Sequence, residues 1–285
     1  MKKPNKYHRF FSSMWFFVLL FLLGAGLILY PLVSNYIYFE VANEEITAFQ
    51  SGVEALADTE KDERLALAQA YNRAVNYQQI TDPWTAEEEA GVAEYARMLE
   101  VQELLGYVVI PKINERLPIY AGTSAAVLEK GVGHLEGTAL PIGGVDTHSF
   151  LTAHRGLPTA QLFRQLDRLA TGDIFYVTNL YETLAYQVDQ IKVVEPNAIE
   201  AIQVIEGGDY LTLLTCTPYM VNSHRLLVRG VRVDDAFSGD AEEVIGLPAR
   251  VNPFLIAVVA VVGVLSLLVV YVIWRVRRGR GRRRR

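Results

Sequence analysis

Two uncharged apolar runs, residues 14–33 and 253–274, bracket this chain, and each matches the roughly 20 residues a helix needs to cross a bilayer. Lys2, Lys3, Lys6 and Arg9 precede the first run. Arg275, Arg277, Arg278, Arg280 and Arg282 to Arg285 follow the second. The positive-inside bias therefore predicts two transmembrane helices, both termini in the cytoplasm and everything between them outside. A cleaved signal peptide is the competing reading of the first run, but its apolar core is longer than usual and no small-x-small cleavage site follows. The terminal segments hold 12 of the 27 Lys and Arg, which leaves 15 in the middle against all 32 Asp and Glu, a charge near −17. Such an acidic domain is no partner for nucleic acid, which needs a basic face. The arginine tail, abutting a membrane span, reads as a topology determinant that meets anionic lipid.

The intervening stretch has two halves. Up to residue 104 apolar residues recur at helical spacing, as in Ile46, Phe49, Val53 and Leu56, then Leu67, Ala70, Tyr71, Ala74 and Val75, then Val92, Tyr95, Met98 and Leu99. Thr59 with Asp62, and Thr85 with Glu88, have capping-box spacing at helix starts. Between the helices, Asp82-Pro83-Trp84 forbids a continuous helix. Capped by Thr85, that helix would offer Trp84 only Glu89 as its staple partner, so the indole should seek a pocket elsewhere. After Gly106 the pattern changes to short β-rich runs punctuated by Gly, Pro, Asn and Asp, seven or eight strands without long helices between them. A closed barrel is the expected result. The expected organisation is a basic N-terminus (1–13), a span (14–33), a helical extension (34–104), a barrel (105–235), a linker (236–252), a second span (253–274) and the tail (275–285).

The chain has a single cysteine, Cys216, so an intrachain disulfide framework and a thiolate-rich zinc site are excluded. No carboxylate cluster has calcium-loop spacing, and neither metal nor cofactor is expected. Cys216 ends the run Tyr210 to Cys216, and Pro218 then stops the strand. A thiol at an exported strand end is a candidate nucleophile, and as such needs a proton-transfer partner and an oxyanion stabiliser. Among the five histidines, His8 precedes the membrane, His134 lies in a Gly-rich stretch and His148 begins a strand. His154, at a strand end, and His224 both remain open as partners. Arg225 is adjacent to His224, so in a strand only one of the two can share a face with the cysteine. A guanidinium there would bring permanent charge and directed donors to a developing oxyanion.

Thr212-Leu213-Leu214-Thr215-Cys216, with Arg225 nine residues beyond and Thr152-Ala153-His154 upstream, resembles the TLxTC and histidine motifs of sortases. The likeness extends over residues 105–233. It implies an eight-stranded β-barrel in which a histidine, a cysteine and an arginine meet at one end of a groove, here His154, Cys216 and Arg225. Leu213 and Thr215 are candidates for lining that groove. The second span and Asp82-Pro83-Trp84 resemble class C, the pilin-polymerising sortases, in which such a tripeptide forms a lid: Asp82 would pair with Arg225, and Trp84 would cover Cys216. The resemblance implies cleavage of an LPxTG-type sorting signal between Thr and Gly through a thioacyl enzyme. A lysine of the next pilin subunit would then resolve it. A housekeeping sortase acting on a cell-wall amine, a membrane-anchored thiol hydrolase and a non-catalytic scaffold are the alternatives.

Overall fold

The computed structural model describes residues 6–75, 98–196 and 206–234, side chains from 19 onward, and scattered positions between 256 and 271. Its first element is a 50-residue helix, α1 (Lys6–Ala55), continuous through Pro31 and across the expected boundary at residue 33. From Leu19 this helix is long and apolar enough to cross a membrane, and Leu19, Leu23, Leu27 and Ile28 are more than half exposed. Apolar side chains left uncovered by protein in this way suit a helix that anchors the chain in lipid. A second span is not shown among the described residues.

Residues 38–248 form a compact unit of their own. Within it the end of α1 buries Ile46 and Phe49, and Phe49 meets Tyr107 edge-on with ring centroids 6.3 Å apart. Helix α2 (Asp58–Ala74) begins after Ala57 with no side-chain cap, so the capping box expected at Thr59 does not form; Asp58 and Glu60 in the first turn face the positive end of the helix dipole instead. Its packed face is also offset from the expected stripe: Ala68 is buried, Leu65 and Tyr71 pack beside it, and Leu67 is exposed. The helix is pinned by Asn72, whose amide nitrogen donates to Leu140 O (3.1 Å) while its amide oxygen accepts from Leu140 N–H (2.7 Å).

Eight strands follow: β1 (Gly106–Ile110), β2 (Glu115–Ala121), β3 (Val132–His134), β4 (Thr147–Thr152), β5 (Ile174–Thr178), β6 (Thr183–Val194), β7 (Asp209–Thr217) and β8 (His224–Arg232). A short helix, α3 (Ala125–Lys130), precedes β3. The strands close into a barrel in the order β1-β2-β3-β4-β7-β8-β6-β5, with β5 returning to β1. Closure leaves no unpaired edge. The shortest strand is β3, a three-residue piece whose Gly133 is required by close packing, since a Cβ there would lie 2.4 Å from Gly122 O. The barrel is filled by Leu117, Ile119, Leu151, Phe175, Leu213 and Val228, among others.

Candidate active site

The chemistry-bearing residues collect where β7 and β8 end and begin. These antiparallel strands pair in unbroken register from Tyr210 opposite Val231 to Thr217 opposite His224, which sets Cys216 directly opposite Arg225. Residues opposite each other in an antiparallel ladder present their side chains to the same face, with Cβ atoms about 4.5–5.5 Å apart. Thr217 and His224, one rung further, therefore point to the other face. Of the two open histidines, His224 is thus turned away from the cysteine, and its Nδ1 lies 2.9 Å from Ser223 Oγ.

His154 arrives from the other side of β7. Strand β4 runs parallel to β7 up to Thr152 opposite Leu214. Beyond that rung Ala153 N–H donates to Leu214 O (3.2 Å) and Thr215 Oγ1 donates to Ala153 O (2.8 Å). Along the β4–β7 ladder, His154 thus stands two residues past the last rung on one strand and Cys216 two past it on the other. The His154 carbonyl accepts from Phe163 N–H at 3.2 Å, which ties it to the 3₁₀ segment Leu162–Arg168.

Cys216 and Arg225 are both nearly closed off, at 5% and 4% exposure. The guanidinium is oriented from its own turn: Nη1 donates to Asn222 O (3.1 Å) and His224 O (3.2 Å). Half-burial lowers the pKa of His154, and the Glu129 carboxylate raises it only in part, so the neutral imidazole is favoured. The face that carries the thiol and the guanidinium continues as an apolar floor: Leu214 and Leu227, opposite each other, pack with Leu135 and Phe150 in a cluster separate from the barrel core, and Val194 flanks it. A thiol, an imidazole and a guanidinium at one end of the barrel offer the residue types of a nucleophile, a proton-transfer group and an oxyanion stabiliser.

Leu213 and Thr215, expected in the groove, lie elsewhere. Strand alternation turns both to the face opposite Cys216, where Leu213 joins the barrel core and Thr215, fully buried, bonds to Ala153. Leu214 and Leu227 are the pair on the Cys216 face. Counting back by two from Cys216 finds the first of these, and the ladder supplies the second. Asp82, Pro83 and Trp84 lie outside the described residues, as does the helix expected around residues 85–95.

Fold and site together define a thiol-nucleophile protein built on a closed eight-stranded barrel. Residues 108–233 match the sortase domain family. Sortase C of Streptococcus pneumoniae is 55% identical over a superposition spanning 67% of this chain and 97% of that one, with a TM-score of 0.65. Sortase C1 of GBS pilus island 1 is 53% identical, spanning 67% and 98%, also with a TM-score of 0.65. Sortase D of Bacillus subtilis shares 33% identity over 137 residues, 47% of this chain and 66% of that protein. Sortase A of Streptococcus agalactiae shares 29%, over 47% of its length. The chain belongs to the sortase family of cysteine transpeptidases, and within it to class C.

Proposed function

We propose that this chain is a membrane-anchored transpeptidase that cleaves an LPxTG-type sorting signal between Thr and Gly and joins pilin subunits through lysine isopeptide bonds. The reading rests on one observation above all: Cys216 and Arg225 are cross-strand partners on one face, with His154 ending the neighbouring strand. In this scheme the Cys216 thiolate attacks the Thr carbonyl, Arg225 holds the tetrahedral oxyanion and His154, as imidazolium, protonates the departing glycine amine. A lysine amine of the next subunit then displaces Cys216 from the thioacyl enzyme, with His154 accepting its proton.

Ordinary pKa values of 8.5 for a thiol and 6.5 for an imidazole would give thiolate and imidazolium together in only about 1% of molecules at pH 7.5. Burial of His154 moves that population lower. A rate that needs thiolate and imidazolium together has a bell-shaped pH dependence. Asp82, Pro83 and Trp84 act as the lid over this site, in line with the class. The second span at residues 253–274 and cytoplasmic placement of both termini follow from the flanking basic residues, and the arginine tail meets anionic lipid.

The test is mass spectrometry of the full chain in detergent after exposure to an LPxTG-type peptide. The expected result is an acyl adduct on Cys216 that a lysine-bearing pilin domain discharges into covalent multimers. No adduct ends the transpeptidase reading, and discharge to water alone favours the hydrolase.

A further inference from the structure

Arg155 follows His154 directly, yet it is 8% exposed and its charge is engaged at two points. Nη1 donates to the hydroxyl Oγ1 of Thr217, the residue directly after Cys216. Nη2 is 2.7 Å from Asp167 Oδ2, on the 3₁₀ segment Leu162–Arg168 whose Phe163 N–H holds the His154 carbonyl. Both ends of this link belong to residues flanking the reactive pair. The backbone ladder between β4 and β7 has ended at Thr152 and Leu214. Past that rung Ala153 N–H still donates to Leu214 O, and side-chain bonds join Thr215 to Ala153 and Arg155 to Thr217. The bonds at Ala153 act before His154 and Cys216, the Arg155 bond after them, so the imidazole and the thiol are bracketed.

A buried guanidinium is expensive to desolvate unless its partners satisfy it, and an apolar side chain of similar volume would fill the same space at lower cost. Its planar fork, however, can bind two acceptors in fixed directions, which neither an apolar residue nor a point-charge ammonium reproduces. We propose that Arg155 is a positioning residue: by clasping Thr217 and Asp167 it fixes the end of β4 against the end of β7 and so sets the reach between His154 and Cys216. It touches neither substrate nor the transferring atoms. The proposal deepens the transpeptidase reading and rests on it for the kinetic part of the test.

The experiment uses the full chain in detergent carrying Arg155→Met, Arg155→Lys, Thr217→Val and the double Arg155→Met/Thr217→Val, with an LPxTG-type reporter peptide. Misplacing reacting groups by about 1 Å lowers a rate on the order of 100-fold. Arg155→Met is therefore expected to lower kcat by about 10-fold to 100-fold with KM nearly unchanged. Arg155→Lys should restore only part of the loss. Thr217→Val should have its own loss, and adding Arg155→Met to it should lower kcat little further, because both remove one contact. Full kcat in Arg155→Met, or losses that multiply in the double variant, overturns the proposal.

A second arm does not depend on catalysis, and reads the rate of Cys216 alkylation by iodoacetamide across pH. His154→Ala should alter this profile in the wild-type background and leave it unchanged in Arg155→Met or, if that variant does not fold, in Thr217→Val. An equal effect of His154→Ala in both backgrounds overturns the proposal even where peptide transfer is observed. Failure of the peptide to acylate the wild-type chain counts against the transpeptidase reading and leaves this arm to decide the role of Arg155.

Discussion

His134 supplies an internal test of how acid acts on this barrel. It has no exposed surface, and its Nε2–H donates to Ala139 O at 2.7 Å, since a carbonyl can only accept. Burial pushes its pKa down from 6.5 to about 4. The folded barrel therefore refuses a proton that the unfolded chain takes up below pH 6.5. Stability from this source is complete above pH 6.5 and drains as pH falls toward 4. At about 1.36 kcal/mol per pH unit, the gap between 6.5 and about 4 amounts to about 3 kcal/mol, most of it already lost at pH 4.5. His134→Gln keeps an amide donor for Ala139 O but has no proton to gain. The assay is urea-dependent hydrogen exchange of the β3 and β4 amides in the full chain, at pH 7 and pH 4.5. The stability advantage of wild type over His134→Gln should shrink by roughly 2–3 kcal/mol between the two conditions. An advantage that is the same at both would refute the reasoning. Because Gly133 and His134 pair with Thr152 and Leu151, acid that loosens β3 also loosens the strand that delivers His154.

Four further outcomes are expected. Arg225→Ala should lower turnover of the peptide by roughly 100-fold to 1000-fold, the usual consequence of removing an oxyanion donor, and Cys216→Ala should abolish acyl transfer; single-turnover kinetics checks both. Leu213→Ala should destabilise the barrel by about 2–5 kcal/mol while the folded fraction keeps its KM, as judged by urea titration beside steady-state kinetics; a groove role would do the reverse. Asp82→Ala or Trp84→Ala should speed labelling of Cys216 by a thiol reagent, and unchanged rates in both would remove the lid from the scheme.

The barrel was legible because its strands carry β-rich runs separated by turn residues, and seven of them stand out in that way. The eighth did not, because β3 is three residues long with a glycine at its centre and owes its place to the walls around it. Periodicity found α1 and α2 but misjudged the packed face of α2, since which stripe is buried depends on where Asn72 docks against Leu140. Cys216 and Arg225 could be picked out as types and spacings, while spacing left His154 and His224 both open; the sortase resemblance pointed to His154, and the register of β7 on β8 turns His224 to the face away from Cys216. Reading the motif as one block put Leu213 and Thr215 in the groove, where strict alternation would have sent them inside. Arg155 carried no signal beyond its neighbour, because an arginine next to a candidate catalytic histidine looks like any polar rim residue until its partners are seen.

Cys216 and Arg225 belong to one hairpin whose rungs run without a slip from Tyr210 to Thr217. Lengthening or recasting the six-residue connection between the two strands leaves that pairing intact, whereas one residue inserted within either strand would send the thiol and the guanidinium to opposite sides of the wall. The turn can therefore change in length without disturbing the pairing of Cys216 with Arg225, which depends on the strands alone.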